Sequence, residues 1–220
     1  MIFPNWAKNI LFLLVYMISG LVLVVIIEGL LSGTELIPLN TLVERAVVHT
    51  RMPFLTTILV VITRLGDPFF LSFATALIAV LLAVRGRHYD AVLFVATLVI
   101  TVISLTALKN TFQITRPGSG LVDASGWSFP SGHATVATAF FFMLAHSFFG
   151  RLKTSGGKTF LILGSIFAVI LIYFSRLYLG AHWALDVLAG AALGLLSVSF
   201  TVLVFSIFIG DKRSLKNRIS

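Results

Sequence analysis

Apolar residues run along this chain in long blocks separated by short polar interruptions. The first block, residues 9–31, is long enough to cross a bilayer, which takes about 20 residues of helix. Lys8 precedes it, as a basic residue precedes the core of a signal peptide. That core runs about 7–15 residues, however, and no small-x-small cleavage site follows here, so the pattern predicts a retained span. Residues 36–54 interleave Asn40, Glu44, Arg45, His49 and Arg51 with Leu42, Val43, Val47 and Val48. This predicts an amphipathic helix lying on the membrane surface. Residues 55–62 are apolar but too short to span, and they end at a turn signal, Gly66–Asp67–Pro68. Further spans are expected at 69–84, 91–108, 134–149, 160–174 and 183–208, the shorter ones extending into their flanks. The expectation is an all-α, integral membrane bundle of six transmembrane helices, with an interfacial helix after the first span and a single domain over residues 1–220.

Composition narrows the class. Of 220 residues, 58% are hydrophobic and 11% charged, and the mean hydropathy is +1.05. A soluble domain carries about a quarter charged residues, so the excess points to lipid rather than to a larger core. The chain has no cysteine, which excludes disulfides, thiolate metal sites and a cysteine nucleophile. A net charge of +8 could suggest nucleic acid, but the basic residues fall in short clusters between apolar runs, as in loops that flank spans. No nucleic-acid partner is expected.

Those clusters predict an orientation. With the N-terminus inside, the inner segments hold Lys8, Arg85, Arg87, Arg151, Lys153, Lys158, Lys212, Arg213, Lys216 and Arg218. The outer ones hold Arg45, Arg51, Arg64, Lys109, Arg116 and Arg176, of which the last three belong to polar islands with their own chemistry. The bias is positive inside, with both termini cytoplasmic.

The islands are the candidate site, and this orientation puts all three on the outer face. The first is Lys109 with Arg116–Pro117, the second Pro130–Ser131–Gly132–His133, the third Ser175–Arg176 with His182 and Asp186. Charged groups beside apolar spans are costly and so are usually functional. His182 and Asp186, four apart, share a helix face; a carboxylate there can fix an imidazole tautomer and leave the other nitrogen free to attack. Taken singly, the pair also reads as a structural hydrogen bond. The second island opens a span, where backbone amides, the Ser131 hydroxyl and a side-chain-free Gly132 favour an anion. His133 could donate a proton to a leaving oxygen, or be an interfacial residue beside a helix cap. Arginine forks and a lysine ammonium suit phosphate oxygens; snorkelling explains any one of the three cations but not all three on the face of both histidines.

Lys109-x6-Arg116–Pro117, Pro130–Ser131–Gly132–His133 and Ser175–Arg176-x5-His182-x3-Asp186 together resemble the three-part signature of the type 2 phosphatidic acid phosphatase (PAP2) superfamily. The motif core covers residues 109–186, and the six-span layout extends the likeness over most of the chain. The resemblance implies a PAP2-type bundle that needs no cofactor or metal. It makes His182 the nucleophile forming a phosphohistidine, Asp186 its orienting partner, and His133 the acid that protonates the leaving group and then activates water. It gives Lys109, Arg116, Ser131, Gly132 and Arg176 the phosphoryl oxygens. The implied substrate is a lipid phosphate at the outer face of a bacterial cytoplasmic (inner) membrane. Undecaprenyl pyrophosphate is the first expectation, with phosphatidylglycerophosphate, phosphatidic acid and the phosphates of lipid A as alternatives. The same residues would serve a lipid phosphotransferase. A membrane protein that binds phosphate without turnover is the remaining reading, although simple binding needs neither a nucleophile nor a proton donor.

Overall fold

The computed structural model describes residues 5–33 and 37–208, and among these every regular element is a helix. The order is α1 (Asn5–Ser32), α2 (Ile37–Val48), α3 (Pro53–Leu65), α4 (Pro68–Val84), α5 (His88–Phe112), α6 (Gly132–Phe149), α7 (Ser155–Tyr178) and α8 (Ala184–Phe208). Helices α1, α5, α6, α7 and α8 are each long and apolar enough to cross a bilayer. A sixth candidate span arises if α3 and α4, bent by 43° at a short break, act as one. The stretch judged too short from sequence is thus α3, lengthened at both ends. Prolines open both halves, where a helix's first N–H groups lack partners anyway, and Asp67 caps α4 by accepting from the Phe69 amide at 2.8 Å. The outward-facing surface is largely apolar: Phe69, Phe160 and Val84 are each at least 80% exposed, as lipid-facing side chains are. This is an integral membrane protein.

Helix α8 is the hub, packing on α1, α5 and α6. Lipid tails are as apolar as leucine, so close packing rather than water exclusion holds such helices together, and small residues permit it. At Gly190 a Cβ would stand 2.8 Å from the Ser131 carbonyl oxygen, so only glycine lets α8 approach the start of α6 this closely. Buried Ala134, Ala137 and Ala189 continue the seam. Thr135, Thr138, Ser197 and Thr201 donate their hydroxyls to carbonyls one turn back, which satisfies them in a dry interior. Thr138 also meets the Tyr173 hydroxyl of α7.

The two ends of the bundle differ. At one, Asp90 pairs with Arg87 at 2.8 Å and Arg151 at 3.0 Å, which ties α5 to the α6–α7 turn. At the other, α2 packs against α7 and α8. Its Asn40 is buried and accepts from the Leu185 amide at 3.0 Å; its Glu44 accepts from the Ser119 hydroxyl at 2.5 Å. Leu42 and Arg45 stay exposed. Polar residues of this helix thus serve the loops of the bundle as well as solvent. Leu36 and the basic residues Lys212, Arg213, Lys216 and Arg218, which the sequence reading used, lie outside the described residues.

Candidate active site

Four segments meet beside the α3–α4 break: the last turn of α5, the loop 113–131, the first turn of α6, and the turn from α7 into α8. A cavity of about 1050 Å³ opens among them. Lys109, Arg116, Gly132, His133, Arg176 and His182 line it, so six of the eight residues singled out in the sequence share one wall system. The other two, Asp186 and Ser131, stand behind the lining. Asp186 is 2% exposed at the back of His182, while Ser131 is fully buried and its hydroxyl accepts from the Ala134 amide at 3.4 Å as the N-cap of α6. The Ser131 hydroxyl caps the helix whose first residues, Gly132 and His133, reach the cavity.

The nucleophile candidate is held on both faces of its ring. Arg116 Nη1 lies 3.1 Å from His182 Nε2. A guanidinium can only donate, so this Nε2 is unprotonated and the ring proton sits on Nδ1. Near Nδ1 stand the Ser128 hydroxyl oxygen at 3.2 Å and Asp186 Oδ2 at 3.5 Å. Asp186 Oδ2 also accepts from the Ser128 hydroxyl at 2.5 Å and from the Trp183 amide at 2.9 Å. Burial first, then the charges of Arg176, Arg116 and Lys109, hold the His182 imidazole well below its ordinary pKa of 6.5; the Ser128 backbone carbonyl opposes them weakly. His182 is therefore neutral at physiological pH.

The cations are anchored by backbone. Arg116 donates to the carbonyls of Gly126 at 3.0 Å, Ser125 at 2.9 Å and Ala181 at 2.6 Å, which stitches loop 113–131 to the turn before α8. Burial lowers its pKa and Asp186 counteracts this. Lys109 Nζ donates to the Trp127 carbonyl at 2.5 Å. Arg176 Nη1 donates to Thr63 Oγ1 at 2.8 Å, while its buried Nε has no hydrogen-bond partner in the protein. An unpaired buried charged donor is rare in folded proteins, and Arg176 is among the residues that line the cavity, where a guanidinium suits an anionic ligand. Among the described residues no three His, Asp or Glu side chains gather as a metal site requires.

Several contributors escaped the sequence reading. Arg51, assigned there to a surface helix, donates from Nε to the Tyr178 carbonyl at 3.0 Å and from Nη1 to the Ser119 carbonyl at 2.8 Å. It braces the turn at Gly180, whose φ of +63° and 2.8 Å clearance between a notional Cβ and the Ser119 carbonyl oxygen demand glycine. Asp67, read only as part of a turn, brings Oδ2 to 3.7 Å from His133 Nε2. Arg64 and Thr63 line the cavity beside it. Ser128 stands in a loop without periodicity, and its place before Phe129–Pro130 offered the sequence no signal.

The chain is similar to known proteins along much of its length. The PAP2 superfamily model matches residues 90–209. Phosphatidylglycerophosphatase B of Bacillus subtilis (strain 168) is 31% identical over 157 residues, 70% of this chain and 77% of that protein. An undecaprenyl-diphosphatase of Sulfolobus acidocaldarius is 30% identical over 169 residues, 75% of this chain and 78% of that one. Among solved structures, the transmembrane PAP2-type phosphatidylglycerolphosphate phosphatase of Bacillus subtilis superposes with a TM-score of 0.77, covering 90% of this chain and 96% of its own at 24% identity.

Proposed function

Because this chain belongs to the PAP2 superfamily of membrane lipid phosphatases, and so is a hydrolase of phosphoric ester bonds, we propose that it cleaves a lipid phosphate through a phosphohistidine on His182. The carrying observation is the cavity itself, where a neutral imidazole with its ring proton held on Nδ1 shares the lining with Lys109, Arg116 and Arg176.

The steps follow from the contacts. A phosphoryl oxygen is a better acceptor for Arg116 Nη1 than a neutral imidazole nitrogen, so a bound phosphate draws that N–H away and uncovers the Nε2 lone pair. Nε2 attacks phosphorus, the bond to the leaving oxygen breaks, and His133 gives that oxygen its proton. His133, now neutral, takes a proton from water; the resulting hydroxide attacks phosphorus, the P–N bond breaks and inorganic phosphate departs. Lys109, Arg116, Arg176 and the start of α6 at Gly132 stabilise the spread negative charge from fixed positions. Ser131 contributes by capping α6. Fixed cations occupy the role a divalent metal plays elsewhere, so turnover needs no metal.

Undecaprenyl pyrophosphate remains the favoured substrate. Arg64, a fourth cation on the cavity wall outside the motif, is placed to meet a second phosphate, and one relative bears the name undecaprenyl-diphosphatase. The name of the Bacillus relative makes phosphatidylglycerophosphate the second reading. The positive-inside bias of the sequence supports a cavity on the outer face of the cytoplasmic membrane. A substrate panel on detergent-purified protein tests this: undecaprenyl pyrophosphate, phosphatidylglycerophosphate, phosphatidic acid and lipid A, each with EDTA, counting free and transferred phosphate separately. The account predicts the highest kcat/KM for the diphosphate and full activity under chelation. Loss of activity with EDTA contradicts the metal-free mechanism, and a preference for any monophosphate overturns the substrate.

A further inference from the structure

The motif reading joins Asp186 to His182 directly, yet these two are not in hydrogen-bond contact: Nδ1 to Oδ2 is 3.5 Å. Between them stands a residue outside the motif. Ser128 Oγ is 3.2 Å from His182 Nδ1 and 2.5 Å from Asp186 Oδ2, and Ser128 is fully buried.

Counting donors fixes the direction of each bond. Arg116 donates to Nε2, so Nδ1 carries the ring proton and can only donate. Asp186 Oδ2, ionised, can only accept. A hydroxyl is the one side-chain group here that does both. It accepts Nδ1–H and donates its own O–H to the carboxylate. Reversing either bond would leave two donors or two acceptors facing one another in a site that excludes water, at the cost of an unmade hydrogen bond. We propose that Ser128 is a positioning residue for the reaction: its hydroxyl links the His182 ring to the Asp186 carboxylate, fixes the Nδ1–H tautomer and aims Nε2 at phosphorus. No proton changes owner in this arrangement. The ring simply shares positive charge with the carboxylate through Ser128 as the phosphohistidine forms.

The position of Ser128 in the chain adds a second consequence. Its amide donates to the Ile114 carbonyl at 2.7 Å, and three residues on, the Ser131 amide donates to the Asp186 carbonyl at 2.9 Å. The loop that delivers His133 is thereby pinned at two points, once back to its own start at Ile114 and once to the helix that carries Asp186. Ser128 sits where the proton donor's segment and the nucleophile's segment are held in register.

This inference rests on His182 as nucleophile, and the experiment separates the two. With a lipid phosphate in detergent, Ser128→Ala should lower kcat about 10- to 100-fold, the usual size for losing a partner that orients a reacting group. KM should stay within about twofold, because Ser128 does not line the cavity. Ser128→Thr, which keeps the hydroxyl, should recover much of the loss. Combining Ser128→Ala with Asp186→Asn should cost little more than Asp186→Asn alone, since both break one linkage. In ¹⁵N-histidine spectra, His182 should change from a single Nδ1–H tautomer to a mixture in Ser128→Ala. If Ser128→Ala does not fold, Ser128→Cys, which keeps the volume and gives only a weak donor, carries the same expectations. Wild-type kcat in a folded variant, an unchanged tautomer, or losses that multiply independently overturn the proposal. Turnover by His182→Ala would instead overturn the nucleophile, and an inert His182→Ala beside a normal Ser128→Ala would remove only the role of Ser128.

Discussion

The two histidines of the cavity occupy walls of opposite character. His182 is 4% exposed, and its neighbours Asp186 and Ser128 are as deeply buried. Its ring is flanked by Arg116, Ser128 and Asp186, and backbone carbonyls fix the arginine in turn. His133 faces Asp67 across 3.7 Å, and that carboxylate is 42% exposed at the break between α3 and α4. The buried wall is assembled from hydrogen bonds that are already made; the open wall has slack. Attack on phosphorus requires a lone pair aimed within a few tenths of an ångström, which rewards rigid preorganisation. Protonating a leaving group must accommodate whatever lipid carries that oxygen, and a looser wall beside a helix break serves this.

Substitutions can break the contrast. His182→Ala should remove about four orders of magnitude or more of turnover on every substrate, whereas exposed Arg45→Ala on α2 should leave it unchanged. Equal losses from both would mean a folding defect or a misplaced site. His133→Ala should cost about 10²- to 10⁴-fold with a lipid phosphate. With an activated aryl phosphate, whose leaving oxygen needs no proton, the first step should recover while hydrolysis of the phosphoenzyme stays slow. A uniform loss at both steps would contradict the assignment of His133 to the open wall.

The smallest effect sharpens the buried side. His182 must be neutral to attack, and its pKa in the folded protein lies well below 6.5 because burial and three nearby cations disfavour its charge. As pH falls through 6.5, an ordinary histidine takes up a proton; this one should not. In ¹⁵N-histidine spectra the His182 ring should remain neutral as pH falls through 6.5. Protonation of His182 near 6.5 would mean that its wall is wetter than the packing indicates.

How much of this was written in the sequence depends on the kind of residue. The spans were legible because lipid demands about 20 apolar residues in a row; α1, α5 and α7 extend the predicted blocks at both ends, and α8 matches its block to within one residue. The α3–α4 break was half legible: Gly66–Asp67–Pro68 signalled a turn, but a bend of 43° between two apolar helices looks in sequence like a loop between them. The motif cations and histidines stood out because each is an unusual charge beside an apolar run. Ser128, Asn40 and Arg51 did not, because serines, asparagines and arginines in loops are ordinary. Their value arises only when residues up to 145 positions apart, such as Asn40 and Leu185, meet across the fold. Ser131 stood out through its motif, and the structure adds that its hydroxyl caps α6.

The central claim is a covalent intermediate on His182, and trapping it tests the claim most directly. Incubating His133→Ala with a ³²P-labelled aryl phosphate, quenching in alkali and mapping the labelled peptide should find phosphate on His182, stable to base and released by acid. Adding His182→Ala to this variant should abolish the label. Label on another residue, or continued turnover with no labelled enzyme at any time, would contradict the account.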